Sequence, residues 1–360
     1  MINILVEGMT SNKGGKEAYI INAYKIFDKT RFSFTFVVYD DEVAYEDYLL
    51  ETGAVVLHLP SRNQGLIKFR KSLRHLFETK KYDVLWSHKT TLSSCEALEI
   101  ANEYKVPLRI IHSHSSSNMG GKLTYILHQI NKRRIKKWAN EYYACSDTAA
   151  QWFFGEDKCK IIKNGIDVEK FRFNSSTRDR IRKKLGIDDC FVIGHIGRFG
   201  IEKNHKKLID VFYEITKMDS TARLVLCGDG EERSNIEAHI MEKELEDRVI
   251  LLGVIDNVNE VLQAIDVIVM PSLFEGLPFA LLEAQAAGLK CIVSDTVSKE
   301  SDILSWNTFV PLDSDDYLWA KTVVDQKIED RKKAADTIKS KGFDIHDCVE
   351  EIEETLELAI

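Results

Sequence analysis

The sequence predicts an α/β protein made of two doubly wound domains, each a parallel sheet covered by helices. Three observations predict it. The chain has 360 residues, room for two domains at roughly 100–200 residues each. Short apolar runs alternate with amphipathic stretches, the pattern of βαβ units. That alternation runs through about residue 173 and then restarts. A composition of 44% apolar and 29% charged residues is that of a folded protein and excludes a disordered chain.

In the first half, residues 2–6 read as a strand running into Gly8, and the pair Gly14 and Gly15 precedes a helix expected near Glu17. Residues 32–39 and 54–59 are β-branched and aromatic strands. Residues 66–80 form a basic amphipathic helix. Strands at 83–87 and 108–111 flank a helix near 94–104. Residues 120–138 read as a helix ending in a basic cluster, followed by strands at 142–145 and 160–162. The polar tract 174–177 is the expected linker. The expected domains are therefore 1–173 and 174–360, with the last helix free to pack back on the first.

In the second half, strands are expected at 191–196, 223–226, 249–252, 267–270 and 291–293. Helices are expected at 204–218, from about 231 to 245, at 258–264 and 277–287, and after Asp316. Two such runs imply a cleft between two domains, with ligands beyond the carboxyl ends of the strands.

Seven cysteines lack CxxC or metal-ligand spacing, so reduced thiols are expected and no metal site. The net charge is −8, with a basic excess through Arg172 and an acidic excess after it. An acidic second half argues against nucleic-acid binding. The basic first half suits an anionic partner. No run is long and apolar enough to span a membrane, and the first residues lack the basic start and apolar core of a secretory signal. A cytoplasmic protein is expected.

Four groups of residues carry chemistry. Gly14 and Gly15 lie between a strand and a helix, where backbone amides can approach a phosphate; a plain turn is the alternative. Arg198 and Lys203 follow a strand end with Gly197 and can grip a diphosphate, or they are ordinary loop cations. Most informative is the stretch 271–284, PSLFEGLPFALLEA. Glu275 falls in the loop after a strand, Pro278 suits the first helical turn, and Glu283 stands inside a largely apolar helix, where an acid needs a reason. Both carboxylates can accept from vicinal hydroxyls, and the amides at this helix start can face a phosphate. His112 and His114 close a strand, where they can meet a substrate hydroxyl or serve the core.

These motifs, together with ACSDTAA, KNGIDVEKF, LVLCGDGEE and IVSD, resemble the retaining glycosyltransferases of family 4 over nearly the whole chain. The E-x7-E pair Glu275 and Glu283 is the most specific landmark. The wording EGLPFALLEAQAAGL resembles the bacterial branch that builds capsule and exopolysaccharide. The resemblance implies the GT-B architecture, two Rossmann-like domains facing across a cleft. It also implies transfer of a hexose or N-acetylhexosamine from a nucleotide-diphosphate sugar, with uridine the usual base, to a saccharide acceptor, commonly lipid-linked.

By the same resemblance, Gly14 and Gly15 border the donor diphosphate and acceptor. His112 touches the transferred sugar, with His114 the competing choice. Arg198 and Lys203 bind the diphosphate. Glu275 contacts sugar hydroxyls, and the segment Gly276, Leu277, Pro278 and Phe279 lies on sugar and phosphate through its backbone amides, Pro278 having no N–H to give. Glu283 holds the ribose, and Asn257 and Val258 lie beside the base. One departure is Asn204, where many members have glycine after the lysine. No cofactor is expected and no metal, since 40–42 and 313–316 read as solvated acidic turns and not as a DxD at a strand end.

The basic helices at 66–80 and around 131–138 are solvated faces or a peripheral contact with an anionic membrane at its inner face. A nicotinamide oxidoreductase needs a GxGxxG that is missing here. A sugar-nucleotide epimerase of the same shape and a non-catalytic nucleotide-sugar-binding protein remain as rivals.

Overall fold

Strands that are apolar on both faces need helices on both faces. The computed structural model, which describes residues 1–12, 14–118, 120–155, 158–327 and 330–360, meets that need in two units. The first comprises Met1–Gly165 and Ile345–Ile360, the second Ile166–Asp344.

In the first unit, β1 (Ile2–Glu7), β2 (Phe32–Val38), β3 (Val55–His58), β4 (Val84–Lys89), β5 (Leu108–Ser113), β6 (Glu141–Ala144) and β7 (Lys160–Ile161) form one parallel sheet. The helices between them are α1 (Gly15–Ile26), α2 (Glu46–Glu51), α3 (Leu66–Thr79), α4 (Glu96–Glu103), α5 (Lys122–Arg134) and α6 (Asp147–Phe154). The strand order is β3-β2-β1-β4-β5-β6-β7. The direction of winding therefore reverses between β1 and β4, the switch point where such sheets leave a crevice beyond the strand ends.

The second unit starts with α7 (Val168–Phe171) and α8 (Ser175–Leu185). Its sheet holds β8 (Val192–Ile196), β9 (Arg223–Cys227), β10 (Val249–Gly253), β11 (Val267–Met270), β12 (Lys290–Ser294) and β13 (Thr308–Val310), in the order β10-β9-β8-β11-β12-β13. Here the switch point lies between β8 and β11. The covering helices are α9 (His205–Met218), α10 (Arg233–Glu242), α11 (Val258–Ala264), α12 (Phe279–Ala286), α13 (Asp316–Val324) and α14 (Ala334–Ser340). Strand β11 shows why both faces are covered. Ile268 and Met270 enter one core cluster, while Val267 and Val269 enter the other. Each such burial contributes about 1.5–3 kcal/mol.

The last helix, α15 (Ile345–Ala359), belongs to the first unit and packs on α1. Glu353 accepts the backbone N–H of Asp28 at 2.8 Å and pairs with Arg31 at 3.2 Å.

Two expectations about organisation are corrected. The boundary falls between Gly165 and Ile166, not at 173/174; the last helix packs back on the first unit, as the sequence allowed. The tract 174–177 is no linker. The Asn174 side chain accepts the Thr177 N–H at 2.9 Å and caps α8. Its polar residues mark a helix start, where the first amides need side-chain acceptors.

Candidate active site

In the second unit, two loops leave neighbouring strands at the switch point: 197–204 after β8 and 271–278 after β11. Their backbones are joined, because Leu273 donates its N–H to the Glu202 carbonyl at 2.8 Å and Asn204 Nδ2 donates to the Pro271 carbonyl at 3.1 Å. Asn204 holds φ at 54°, a conformation an asparagine tolerates. This accounts for asparagine in place of the family's glycine.

Lys203 lies back over Gly197, where a Cβ would come 3.1 Å from the lysine Cε. Its ammonium donates to the Glu275 carboxylate, and both side chains are largely buried, 12% and 16% exposed. Gly228, after β9, takes φ +147°, and a Cβ there would overlap the Gly197 carbonyl. The strand-end loops are thus packed backbone against backbone.

Helix α12 starts two residues later than expected. Pro278 is its N-cap, not a member of its first turn, and no side chain caps it. Among the described residues, the backbone N–H groups of Gly276, Leu277, Phe279 and Ala280 have no acceptor. A helix start with open amides favours a bound anion. Glu283 is half-buried one turn further; its carboxyl group has no hydrogen-bond partner among the described residues, and desolvation pushes it up to about 7 against the weaker pull of Lys170.

Arg198 is not gathered into this group. Its guanidinium is exposed and pairs with Glu231 at 2.8 Å. Asn257 stands at the N-cap position of α11, and its Nδ2 donates to Glu260 at 3.0 Å; Val258 begins that helix.

In the first unit, α1 begins at Gly15, two residues before the expected start, with Gly14 as an N-cap that offers only backbone. Lys16 reaches back to the Gly8 carbonyl and pairs with Glu17 at 3.1 Å, while Thr10 donates to Glu17 at 2.7 Å. Beneath this loop Glu7 is buried and accepts from Lys89 at 2.8 Å, Ser87 at 2.5 Å and Tyr39 at 3.0 Å. Burial raises the Glu7 carboxyl, but Lys89 and the two hydroxyls more than offset it and hold it below its usual range.

The histidines lie inside the first unit. His112, the residue expected to touch the sugar, has no exposed surface. Desolvation holds it neutral, with its pKa lowered to about 3. His114 is half-buried. Its Nε2 meets His88 Nδ1 at 2.9 Å, and its Nδ1 is buried. The cause is register: strand residues two apart share a face, and this face of β5 looks into α1.

Sequence reasoning missed Glu231, His88 and the Glu7–Lys89 pair. For His88 the signal was present, since it closes a strand as His112 does. The pairing of β4 with β5, which sets His88 opposite His112, was not legible.

Comparison with known proteins places the chain. The family model for glycosyl transferases group 1 matches residues 177–340, and that for glycosyltransferase family 4 matches residues 13–170. EpsF of Bacillus subtilis (strain 168), itself assigned as a glycosyltransferase, is 31% identical over 351 residues, covering 92% of this chain and 90% of that protein. The Escherichia coli UDP-Gal:alpha-D-GlcNAc-diphosphoundecaprenol alpha-1,3-galactosyltransferase is 31% identical over 262 residues, 65% of this chain and 64% of its own. Among solved structures, Anabaena Alr3699/HepE in complex with UDP superposes with a TM-score of 0.78 at 18% identity, covering 99% of this chain and 100% of that one; this likeness shows the fold. With the family models filling both halves and EpsF matched nearly end to end, the chain is a glycosyltransferase of family 4 with GT-B architecture, in the exopolysaccharide branch.

Proposed function

We propose that the enzyme transfers a hexose or N-acetylhexosamine from a UDP-sugar to a lipid-linked saccharide acceptor, with retention at the anomeric carbon, in bacterial surface polysaccharide synthesis. The observation that carries this reading is the Lys203–Glu275 pair beside the uncapped start of α12, at the β8/β11 switch point. Support for uridine and for a lipid-linked acceptor comes from the relatives, one named for UDP-Gal and a diphosphoundecaprenol acceptor and one solved with UDP.

The chemistry follows from charge. As the glycosidic bond to the leaving diphosphate lengthens, negative charge gathers on the phosphate oxygens. Lys203, Arg198 and the backbone N–H groups of Gly276, Leu277, Phe279 and Ala280 supply the compensating positive charge, and a single such donor is worth about 10²–10³ in rate. Diphosphate entry draws Lys203 off Glu275, and that exchange frees the carboxylate to accept from sugar hydroxyls. Glu283 accepts from the ribose diol, and Asn257 and Val258 border the uracil. Gly14 and Gly15 face the diphosphate and acceptor. His114, with His112 packed against it, is assigned to the sugar hydroxyls. The acceptor attacks from the face the diphosphate leaves, and a phosphate oxygen takes its proton. No protein nucleophile and no metal is assigned a step.

Among the described residues no helix is long and apolar enough to cross a membrane. Contact with the inner membrane face is assigned to α5, which exposes Leu123, Ile126 and Ile130 ahead of Lys132, Arg133 and Arg134. Each cation near an anionic surface adds about 1 kcal/mol.

A thermal-shift screen against UDP, GDP, ADP, CMP and NAD tests the donor class. UDP at about 100 times its Kd raises stability by roughly 2.7 kcal/mol, and Lys203→Ala abolishes the shift. A shift with NAD alone, or an unchanged UDP shift in Lys203→Ala, overturns the assignment.

A further inference from the structure

We propose that His88, His112 and His114 form a binding site for a borderline-soft divalent metal ion such as Zn²⁺, inside the first unit and separate from the Lys203–Glu275 group. One ligand nitrogen from each ring can be chosen so that all three lie within 4.8 Å of one another. Three nitrogens on a tetrahedral zinc at 2.0–2.1 Å stand about 3.4 Å apart. His88 Nδ1 and His114 Nε2 are already 2.9 Å apart, so small ring turns suffice.

The backbone creates this arrangement. Parallel pairing of β4 with β5 sets His88 opposite His112. His114 lies two residues further on the same face, and its N–H continues the ladder to the Lys89 carbonyl at 2.9 Å. Ring centroids of His112 and His114 are 4.3 Å apart, and those of His88 and His114 5.1 Å.

Unmet polar groups point to a ligand. Both ring nitrogens of His112 are fully buried without a partner, as is Nδ1 of His114. Tyr19, whose ring stands 5.0 Å from His112, buries its hydroxyl without a partner as well. Buried polar groups are ordinarily satisfied, and a cluster of orphaned ones suits a bound ion. Two neighbouring cations do not forbid an ion, because each has a counter-charge: Lys89 pairs with Glu7 at 2.8 Å and Lys16 with Glu17 at 3.1 Å. Three imidazoles suit zinc, copper, nickel or cobalt; magnesium and calcium prefer oxygen. A bound ion would tie the ends of β4 and β5 together beneath α1 and fix the His114 ring. The effect on sugar binding rests on the glycosyltransferase mechanism above; the binding itself does not.

The test is titration of chelator-stripped full-length protein with Co²⁺, read by visible absorption, with Zn²⁺ as competitor. One Co²⁺ per chain with d–d bands is expected, displaced by Zn²⁺. His88→Gln and, separately, His114→Asn each weaken binding at least about tenfold, the loss that even an outer-shell partner's removal gives. Far-UV circular dichroism confirms that each variant is folded, and for His88→Gln the UDP melting shift confirms it as well. Absence of saturable Co²⁺ binding, or binding unchanged in folded His88→Gln, overturns the site.

Discussion

Lys203 and Glu275, 72 positions apart in the chain, form an ion pair at the ends of β8 and β11. The pair is mostly but not wholly buried, so its rupture falls between the exposed and buried limits. Glu275→Gln is expected to cost about 1–3 kcal/mol in urea unfolding. The double variant Lys203→Met/Glu275→Gln recovers part of that loss, because no unpaired charge is left. If the two single losses simply add, the pair contributes nothing.

Glu283 yields a pH signature. Its folded carboxyl titrates near 7, against an ordinary 4.5. The folded state therefore holds the proton more tightly, which favours folding below about pH 4.5 and is lost as pH rises through 7. At pH 8 the ionised carboxylate costs on the order of 3 kcal/mol. Glu283→Gln should melt higher than the parent at pH 8 and no higher at pH 4. UDP acts in the opposite sense, since ribose hydroxyls donate to the ionised form. UDP affinity of the parent should rise from pH 6 to 8 and stay flat in the variant. A flat parent profile removes Glu283 from the ribose.

Gly228→Ala combines a left-handed φ with backbone overlap at Gly197. A loss of at least about 2 kcal/mol is expected from strain alone, together with a weaker UDP shift as the loop bearing Lys203 moves. Urea unfolding and the same thermal-shift assay read both effects. Normal stability would show that the two loops are not locked together.

Asn174→Ala removes the α8 cap and should cost about 1 kcal/mol, leaving UDP binding intact. Chemical denaturation with and without UDP checks it. A neutral result would mean that the tract behaves as a free linker.

Much of the fold was legible because parallel strands leave a strong local mark. The strand 267–270 and the helix 258–264 sit where their patterns put them. Short elements were not legible. Asp147–Phe154 offers two turns of helix and little periodicity, and its Ser146 cap was passed over as Asn174 was misread. Strand order left no local trace, yet it decides that the loops after β8 and β11 are neighbours. The same limit hid His88. Glu275 could be placed at a strand end, whereas its partner could not be named, since a cation's choice among carboxylates depends on packing. Lys203 took Glu275, and Arg198 took Glu231.

The placement of α15 bears on biosynthesis. The helix that covers α1 is translated only after the whole second unit, so the first sheet emerges without one of its supports. At about 5–20 residues per second, translation of the intervening 166–344 takes roughly 10–35 s. During that interval the second unit can finish folding, while the face of α1 that α15 covers waits for a partner not yet made. The first unit is therefore the more exposed of the two to misassembly and chaperone capture, although most of it is synthesised before the second.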